Sequence, residues 1–410
     1  MRVLFISLAP PWPPDNGLTL RAWAVLRALA SRAKVTLLMF VPPGTPSGYS
    51  ELQEICEAVE AVPLALTSLT SGANYLGRLR SLFSPAPYGM TRFVSPEIRE
   101  RIAGLLQALH FDAVVCETVY PLDNLPAGDV PLVVDEQNIE HQLIERYAAL
   151  EKNPAKRWYA LIEAKKLKRA EARACAAARM VLCCSEPDRA GLERLCPQAQ
   201  VRVVPNVVDT DLFTAAPGAV EPRMVLFQGG MDWFPNRDAV EYFVSAILPK
   251  LRRRIAGVKF VIAGRSPSPE FRRRFEALPG VEFTGTLPDL RPVIGRAAVC
   301  VVPLRVGSGT RLKILEAAAA GKAVVSTSVG AEGLEFENGR EIVLEDDPAR
   351  FANAVAKLLR DSAAAARMGQ AAREKVQDRY SQPILETKLW KALAEAGVGS
   401  AAQRPTNGLK

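Results

Sequence analysis

The sequence predicts an α/β fold with two doubly wound parallel sheets, and three observations predict it. Short apolar runs alternate with amphipathic helical segments along most of the chain, which is typical of parallel strands joined by helical crossovers. The 410 residues exceed the length that one hydrophobic core usually serves, so two domains are expected. The alternation also begins again after residues 203–209, where an apolar strand ends in a Pro-Asn turn.

The first half of the chain contains five apolar runs that predict strands, with amphipathic segments between them. These runs cover residues 3–8, 35–40, 113–116, 132–135 and 180–184. They predict a parallel sheet of Rossmann type in an N-terminal domain over residues 1–204.

The second half repeats the pattern and then becomes helical. Its predicted strands cover residues 224–227, 259–263, 281–284, 299–303, 323–326 and 341–344. A helix is expected from residue 348 to about residue 380, where Ser381-Gln382-Pro383 breaks it before a last helix over residues 384–396. The chain thus divides into a second Rossmann-like domain over residues 205–380, a helical segment over residues 381–397 and a disordered tail over residues 398–410.

Composition narrows the classes of protein to which the chain can belong. The apolar content of 49% is enough for two cores, and no run of 18 apolar residues and no signal-peptide pattern occurs. We therefore expect a soluble, cytoplasmic protein. The seven cysteines form an odd set without paired C-x-x-C spacing, which favours buried, reduced thiols over zinc ligands or disulfides.

The net charge of +8 is unevenly distributed. Residues 151–180 carry nine Lys and Arg against three Glu, which predicts a basic helix within residues 152–179. This helix is either an ordinary solvated face or a surface for an anionic membrane on the cytoplasmic side, where each cation contributes about 1 kcal/mol. Nucleic acid is not expected as a partner, because aromatic side chains for base stacking are not interleaved with these cations.

The segment over residues 303–333 constrains the chemistry most strongly. An apolar strand runs into the turn Gly307-Ser308-Gly309-Thr310-Arg311, then into a short helix closed by Gly321, then into another apolar strand. Backbone N–H groups at a helix start favour an anion, and glycines let the backbone approach it. Arg311 and Lys313 add cations, which are unfavourable at a helix start unless an anion binds there. Glu316 is either a carboxylate for ribose hydroxyls or a surface residue.

Several motifs together resemble one family. They are the Asp15-Asn16-Gly17 loop and the segments over residues 135–141, 203–213, 227–236, 261–264, 283–285 and 331–334, with the Gly-Ser-Gly-Thr-Arg loop. The chain resembles retaining glycosyltransferases of the GT-B fold and of family four type, from residue 1 to about residue 395. The subgroup is similar to sugar transferases of bacterial exopolysaccharide clusters.

This resemblance implies two Rossmann-like domains facing a central cleft, with the last helix crossing back to the N-terminal domain. It implies a nucleotide-sugar donor in the C-terminal domain, an acceptor in the N-terminal domain, retention of anomeric configuration and no metal or other cofactor. Glu316, Arg311 and Lys313 are the expected catalytic residues. The expected donor-binding residues are Gly229, Arg237, Arg265, Gly285, Thr286, Gly307, Ser308, Gly309, Thr310 and Glu332, and the expected acceptor-binding residues are Asn16, Gly17, Gln137 and His141.

The chain departs from the family pattern at three positions. Ser308 stands where the family has the first glutamate of a Glu-x7-Glu pair whose second member is Glu316. Only Arg237 follows the first strand of the second domain within ten residues, so we assign the missing diphosphate cation to Arg311 or Lys313. Gln137 matches a position that often holds His, and Gln can orient an acceptor but cannot take its proton.

The leading hypothesis is a hexosyltransferase that acts on a polysaccharide or lipid-linked acceptor in bacterial surface glycan synthesis. A nucleotide-sugar epimerase or phosphorylase on the same fold and a noncatalytic sugar-nucleotide-binding scaffold are the alternatives. A dinucleotide oxidoreductase is disfavoured, because a Pro-rich segment and not a Gly-x-Gly-x-x-Gly turn follows the first strand. Asp209-Thr210-Asp211 resembles a metal-binding Asp-x-Asp, but its place in the turn between the domains favours a local role.

Overall fold

The computed structural model describes residues 1–45, 48–65, 72–213, 219–265 and 267–399. The chain divides into two compact units. The N-terminal unit contains Met1–Pro205 and the described residues from Leu385 onward, and the C-terminal unit contains Asn206–Ile384. Most of the predicted tail, residues 400–410, lies outside the described residues. Val398 and Gly399 are described, and the Val398 amide donates to the Leu393 carbonyl oxygen.

The N-terminal unit is built on one parallel sheet with the strand order β3-β2-β1-β4-β5-β6-β7. The strands are β1 (Arg2–Ser7), β2 (Lys34–Val41), β3 (Ala58–Pro63), β4 (Ala113–Glu117), β5 (Leu132–Glu136), β6 (Met180–Cys183) and β7 (Val201–Val203). The helices are α1 (Gly17–Ala30), α2 (Ser50–Ile55), α3 (Gly72–Ser81), α4 (Tyr88–Thr91), α5 (Pro96–Ala108), α6 (Glu140–Leu150), α7 (Pro154–Ala177) and α8 (Glu186–Leu195), with a 3₁₀ turn over Leu122–Asn124.

The C-terminal unit is built on a second parallel sheet with the order β10-β9-β8-β11-β12-β13. The strands are β8 (Met224–Gln228), β9 (Lys259–Ala263), β10 (Val281–Gly285), β11 (Val299–Val302), β12 (Val324–Ser326) and β13 (Val343–Leu344). The helices are α9 (Phe234–Tyr242), α10 (Leu248–Arg252), α11 (Pro269–Glu276), α12 (Arg291–Arg296), α13 (Leu312–Ala319), α14 (Pro348–Arg360) and α15 (Ser362–Arg379), with a π turn over Phe243–Ile247. The last helix, α16 (Gln382–Glu395), begins in this unit and continues into the N-terminal unit.

The predicted fold class is confirmed by these two parallel sheets. Apolar runs form the central strands, which are buried on both faces by the crossover helices, as β1, β4 and β8 show with nearly continuous burial. Two details differ from the sequence prediction. The edge strand β3 was not predicted, and the helix expected from residue 348 to about residue 380 is two helices, because Asp361 ends α14 and its side chain accepts from the Ala364 amide at the start of α15.

Helix α16 belongs mostly to the N-terminal unit. Its apolar side chains Leu385, Leu389 and Leu393 are buried, and the Trp390 indole donates to the Ala28 carbonyl oxygen at 2.9 Å. Glu395 also pairs with Arg202, which lies in β7. These contacts attach the end of the described chain to the first sheet.

All seven cysteines are buried thiols, with no disulfide among them. Burial raises the pKa of the Cys56, Cys184 and Cys300 thiols to about 12, so these side chains are protonated at neutral pH. None of the helices in the described chain has both the length and the apolar character that a membrane crossing requires.

Candidate active site

The donor half of the candidate site lies at the carboxyl edge of the second sheet. Strand order reverses there between β8 and β11, and ligands of doubly wound sheets bind at such a switch point. The loop after β8 begins at Gly229, and the loop after β11 leads through Gly307 into α13. Both loops therefore reach the position where the sequence analysis expects the nucleotide.

The loop over residues 307–311 is held in a conformation that requires glycine. Gly307 and Gly309 have φ angles of 158° and 69°, which side chains rarely adopt. A Cβ at Gly307 would overlap the Arg311 guanidinium, which folds back and donates to the Ser308 and Gly309 carbonyl oxygens. The Thr310 hydroxyl accepts a hydrogen bond from Asn206 at 2.7 Å. The loop thus places backbone and a buried cation at the start of α13.

Lys313 lies in the first turn of α13 and faces the loop after β8. Its Nζ donates to Asn236 Oδ1 at 2.5 Å and lies 4.4 Å from the centroid of the Phe227 ring. Burial lowers the pKa of Lys313 to about 7, and the positive charge of Arg311 acts in the same direction. An anion close to this lysine would strongly stabilise its protonated form.

Glu316 lies one turn further along α13. Its Oε2 accepts a hydrogen bond from Gln228 Nε2 at 2.5 Å, and Gln228 is the last residue of β8. Burial raises the pKa of the Glu316 carboxyl, whereas the charge of Lys313 opposes this shift. The sheet therefore fixes the orientation of one carboxylate oxygen.

The other expected donor residues occupy different parts of the same edge. Arg237 donates to the Met231 and Asp232 carbonyl oxygens, so its guanidinium braces the loop after β8. Arg265 follows β9 and lies 3.7 Å from an Asp232 carboxylate oxygen. Gly285 ends β10 with a φ angle of 70° and is followed by the exposed Thr286, and Glu332 lies half-buried in the turn after β12.

Close backbone packing shapes the loop after β8. Gly229 has a φ angle of 151°, and its amide donates to the Ala263 carbonyl oxygen at 2.9 Å. A Cβ at Gly264 would overlap the Gly229 carbonyl oxygen. The Asn236 amide group donates to the Gly230 carbonyl oxygen at 2.8 Å. Asn236 therefore connects this loop to Lys313.

One of the residues expected to bind the acceptor, Gln137, lies at the carboxyl edge of the first sheet. Gln137 directly follows β5 and is buried, and its Nε2 donates to Glu117 Oε1 at 2.7 Å. Glu117 ends β4 and also accepts from the Leu8 amide and contacts the Ser7 hydroxyl. Ends of β1, β4 and β5 thus converge on one buried carboxyl.

Three other expected acceptor residues have local partners. Asn16 is the N-cap of α1, and its Oδ1 accepts from the Leu18 and Thr19 amides, with Gly17 as the first helical residue. His141 lies in the first turn of α6 and is buried against Glu171 of α7, which contacts its Nδ1 and accepts from its backbone amide. The structure therefore directs His141 toward α7, and Gln137 is the member of this set that donates to the Glu117 carboxyl.

Asp209-Thr210-Asp211 forms a local turn. Asp209 Oδ1 accepts from the Asp211 and Leu212 amides, both at 3.1 Å. These two hydrogen bonds give the Asp209 side chain a local role in stabilising the turn.

Sequence reasoning missed three residues of these clusters: Gln228, Asn236 and Glu117. Their sequence signals are weak. Gln228 and Glu117 are polar residues at the ends of buried apolar strands, and Asn236 lies within the segment over residues 227–236. Because carboxyl ends of parallel strands meet at one edge, this signal marks candidates for a site but does not identify their partners.

Two family models match the chain. The model for Glycosyltransferase Family 4 matches residues 15–212, and the model for Glycosyl transferases group 1 matches residues 222–361. The chain is a group 1 glycosyltransferase. The two matches follow each other along the sequence: the first lies almost entirely in the N-terminal unit and the second lies in the C-terminal unit.

Two curated relatives from Mycobacterium tuberculosis are similar to this glycosyltransferase. A glycogen synthase is 29% identical over 218 residues, which cover 50% of this chain and 51% of the relative. A GDP-mannose-dependent α-(1-6)-phosphatidylinositol monomannoside mannosyltransferase is 30% identical over 214 residues, which cover 47% and 55%. The chain spans about half the length of the curated relatives it matches.

Solved structures establish the GT-B fold of this glycosyltransferase. Sucrose-phosphate synthase from Thermosynechococcus elongatus superposes with a TM-score of 0.74 at 20% identity and covers 98% of this chain and 100% of its own. HepE of Anabaena in complex with UDP-glucose has a TM-score of 0.65 at 14% identity, covering 96% and 100%. TarM has a TM-score of 0.69 at 10% identity, covering 95% and 98%.

Proposed function

We propose that this glycosyltransferase moves a sugar from a nucleoside-diphosphate sugar to a polysaccharide or lipid-linked acceptor, with retention and without metal, in bacterial surface glycan synthesis. One observation carries the proposal. Two cations, Arg311 and Lys313, lie at the start of α13 beside a glycine loop, where backbone N–H groups also favour an anion. The lowered pKa of Lys313 supports this proposal, because an anion bound nearby would stabilise its protonated form.

The reaction breaks the bond between the anomeric carbon and the diphosphate oxygen, and it forms a bond from the same carbon to the acceptor oxygen. The acceptor hydroxyl loses its proton to the departing diphosphate, so no side-chain base is required. Lys313, Arg311 and the loop amides stabilise the charge that develops on the diphosphate, and losing one such donor costs about 100- to 1000-fold in rate.

Glu316 is assigned to the donor ribose. Gln228 holds its Oε2, which directs Oε1 as the oxygen for ribose hydroxyls. Ser308 is buried within the loop, where a neutral hydroxyl replaces the carboxylate that the family uses to hold the donor sugar. We therefore expect donor preference to differ from that of relatives with a glutamate at this position.

The relatives support a nucleoside-diphosphate sugar as the donor, but they differ from one another in the nucleobase. HepE binds UDP-glucose, and the mycobacterial mannosyltransferase depends on GDP-mannose. We assign the acceptor to the N-terminal unit and place the enzyme in the cytoplasm.

The proposal is tested with a panel of UDP-, GDP-, ADP- and dTDP-sugars, in which nucleotide release is measured with and without membrane extract. We expect acceptor-dependent release with one donor. Glu316→Ala should weaken binding of that donor, and Glu270→Ala, an exposed glutamate on α11, is the matched control that should not. Binding without turnover under every condition would contradict catalysis and favour a scaffold.

An anionic membrane surface is the partner that we assign to the basic helix α7. Five large apolar side chains are exposed on α3, on α7 and just after α3: Leu76, Leu79, Phe83, Trp158 and Leu161. Helix α3 is attached to α7, because Lys166 Nζ donates to the Ser81 carbonyl oxygen at 2.5 Å. We call these five residues the α3–α7 surface.

Cations border the α3–α7 surface. Lys165 and Lys168 are exposed and share one face of α7 with Trp158 and Leu161, because the four residues are three or four positions apart. Lys166 differs from the sequence expectation: it is buried and pairs with Glu163 at 2.7 Å, so it does not face outward. Exposed apolar groups next to cations match the headgroup region of an anionic bilayer.

Flotation with vesicles of phosphatidylcholine, alone or with phosphatidylglycerol, tests this partner. We expect binding only to the anionic vesicles, and the double variant Lys165→Glu/Lys168→Glu should lose it. The matched control is Arg273→Glu/Arg367→Glu, at two exposed positions of the C-terminal unit. Equal flotation of the wild type and the Lys165→Glu/Lys168→Glu variant would return α7 to the interpretation of a solvated face.

A further inference from the structure

The buried carboxyl of Glu117 joins the ends of three neighbouring strands in the first sheet. Strand β4 lies between β1 and β5, and Glu117 is its last residue. Glu117 Oε2 accepts from the Leu8 amide at 2.9 Å and lies 2.8 Å from the Ser7 hydroxyl. Oε1 accepts from Gln137 Nε2 at 2.7 Å. The side chain is fully buried, so these contacts fix its orientation.

This network fixes the direction of the Gln137 amide. The backbone N–H of Leu8 cannot rotate, so the oxygen that faces it must be an acceptor. The other carboxyl oxygen accepts from the Gln137 amide nitrogen. The amide oxygen of Gln137 therefore points away from Glu117, and this oxygen accepts hydrogen bonds but cannot donate them.

The Ser7 hydroxyl shows that protonation of Glu117 does not change this direction. Ser7 Oγ has one proton and lies 2.7 Å from the Ala9 carbonyl oxygen as well as 2.8 Å from Glu117 Oε2. Neutral Glu117 donates from Oε2 and lets Ser7 donate to Ala9, whereas ionised Glu117 competes with Ala9 for the Ser7 proton. In both states Oε1 accepts from Gln137.

Charged groups around Glu117 belong to β5 and α1. Burial raises the pKa of Glu117 to about 7, and the negative charge of Asp135 on β5 acts in the same direction. Asp135 is itself bound to Arg21 of α1 at 2.6 Å. Both protonation states of Glu117 are therefore populated near neutral pH.

The backbone directly after Glu117 is strained. Thr118 has a φ angle of 60°, and a left-handed conformation costs roughly 1–2 kcal/mol for a residue with a Cβ. Its amide donates to the Asp135 carbonyl oxygen at 3.1 Å, which ties the strained residue to β5. Strain of this kind occurs where the surrounding structure must hold a functional group in place.

We propose that Glu117 is a positioning residue, which holds the Gln137 amide so that its oxygen accepts a hydrogen bond from a hydroxyl of the acceptor sugar next to the one that attacks the donor. This inference rests on the proposed function and deepens it, because it gives the acceptor half of the site a nucleophile-orienting group. The nucleophile is an uncharged hydroxyl of a glycan or lipid-linked sugar. Gln137 binds a neighbouring hydroxyl of the same acceptor sugar, so the proton of the attacking hydroxyl stays available for the departing diphosphate.

Glu117→Gln tests the proposal, because it should reverse the direction of the Gln137 side-chain amide. The Leu8 N–H requires oxygen on its side, so the new NH₂ group must face Gln137. Gln137 then turns its oxygen toward position 117 and its NH₂ group toward the acceptor. We expect kcat/KM for the acceptor to fall about 10- to 100-fold, the range for one lost hydrogen bond with a misplaced buried donor, and the Kd of UDP-glucose to stay unchanged.

The exchanged pair Glu117→Gln/Gln137→Glu separates positioning from a merely structural role. In this variant the NH₂ group at position 117 donates to a carboxylate at position 137, whose other oxygen faces the acceptor. We expect kcat/KM to return to within about fivefold of the wild type. Glu140→Gln is the matched control, because Glu140 is also buried but contacts Tyr120 and not Gln137; it should keep wild-type acceptor kinetics.

The probes are n-octyl glycosides of glucose, galactose, mannose and N-acetylglucosamine as acceptors, with donor hydrolysis by water as a second readout. Restored turnover in the exchanged pair supports the assignment. The positioning role is overturned, while the proposed function stands, if kcat/KM falls in Glu117→Gln and the exchanged pair does not restore it. It is also overturned if kcat/KM does not fall in Glu117→Gln. A wild-type protein that neither transfers nor hydrolyses any sugar nucleotide overturns both.

Discussion

We predict that the titration of Lys313 makes donor affinity depend on pH, with a size that can be calculated. In the free protein, burial and the charge of Arg311 lower the pKa of this lysine to about 7. A bound diphosphate brings negative charge to Nζ and raises this pKa again. Donor binding therefore takes up a proton wherever the free lysine is neutral, so affinity is highest below pH 7 and falls as pH rises through 7.

The size of the effect follows from linkage. Above the pKa of the free lysine, each pH unit weakens binding up to tenfold, until the pKa of the complex is reached. With a pKa of about 7 in the free protein and one near the ordinary lysine value in the complex, the Kd should increase about 20-fold between pH 6.5 and pH 8.5. About 0.9 proton should be taken up per donor at pH 8.

Isothermal titration calorimetry with UDP-glucose or GDP-mannose measures both quantities. These donors are diphosphate diesters with no ionisation near pH 7, and titrations in Tris and HEPES give the proton count. Lys313→Arg keeps a cation at every pH and should flatten the slope, whereas Lys313→Gln should bind weakly throughout. A Kd constant within twofold for the wild type, or an unchanged slope in Lys313→Arg, would refute the reasoning.

Three further predictions concern the packing around the two half-sites. Gly264→Ala should cost about 1–3 kcal/mol in urea unfolding and weaken donor binding, because its Cβ would overlap the Gly229 carbonyl oxygen; Gly104→Ala, whose Cβ would meet no atom, is the control. Asp135→Asn should cost about 3–5 kcal/mol, because it leaves Arg21 buried without its carboxylate, and the double variant Arg21→Met/Asp135→Leu should be more stable than either single change. Asn236→Asp should raise the pKa of Lys313 and remove the pH dependence of donor binding, and calorimetry that shows the wild-type slope would contradict it.

The sequence predicts the strands of both sheets well where burial is two-sided. Strand β9 over Lys259–Ala263 is apolar almost throughout, and the prediction matches its bounds. Strand β3 was missed because it pairs only with β2 at the edge of the sheet and Val62 is the one buried residue among its six, so its sequence carries no continuous apolar run. The break between α14 and α15 was missed because Asp361 interrupts an Ala-rich pattern without Gly or Pro.

The candidate site was less predictable, because partners depend on contacts between distant elements. Helix spacing places Lys313 and Glu316 on neighbouring turns, but nothing local indicates that Gln228, 88 residues earlier, holds Glu316. His141 illustrates the converse. Its position after β5 suggested a contact with the acceptor, yet Glu171 of α7 lies under the start of α6 and binds its backbone and ring.

The neutral partners of the charged donor residues explain why the site is poised for an anion. Lys313 is held by the amide oxygen of Asn236, and Glu316 by the amide nitrogen of Gln228. Amides form hydrogen bonds without neutralising charge, so the effect of burial is only partly offset by the attraction between Lys313 and Glu316, and the pKa of Lys313 stays low while that of Glu316 stays high. A carboxylate at position 236 would form an ion pair with the protonated lysine before donor binding, and its negative charge would then repel the diphosphate. The amide instead orients the lysine and leaves its charge to be stabilised by the donor.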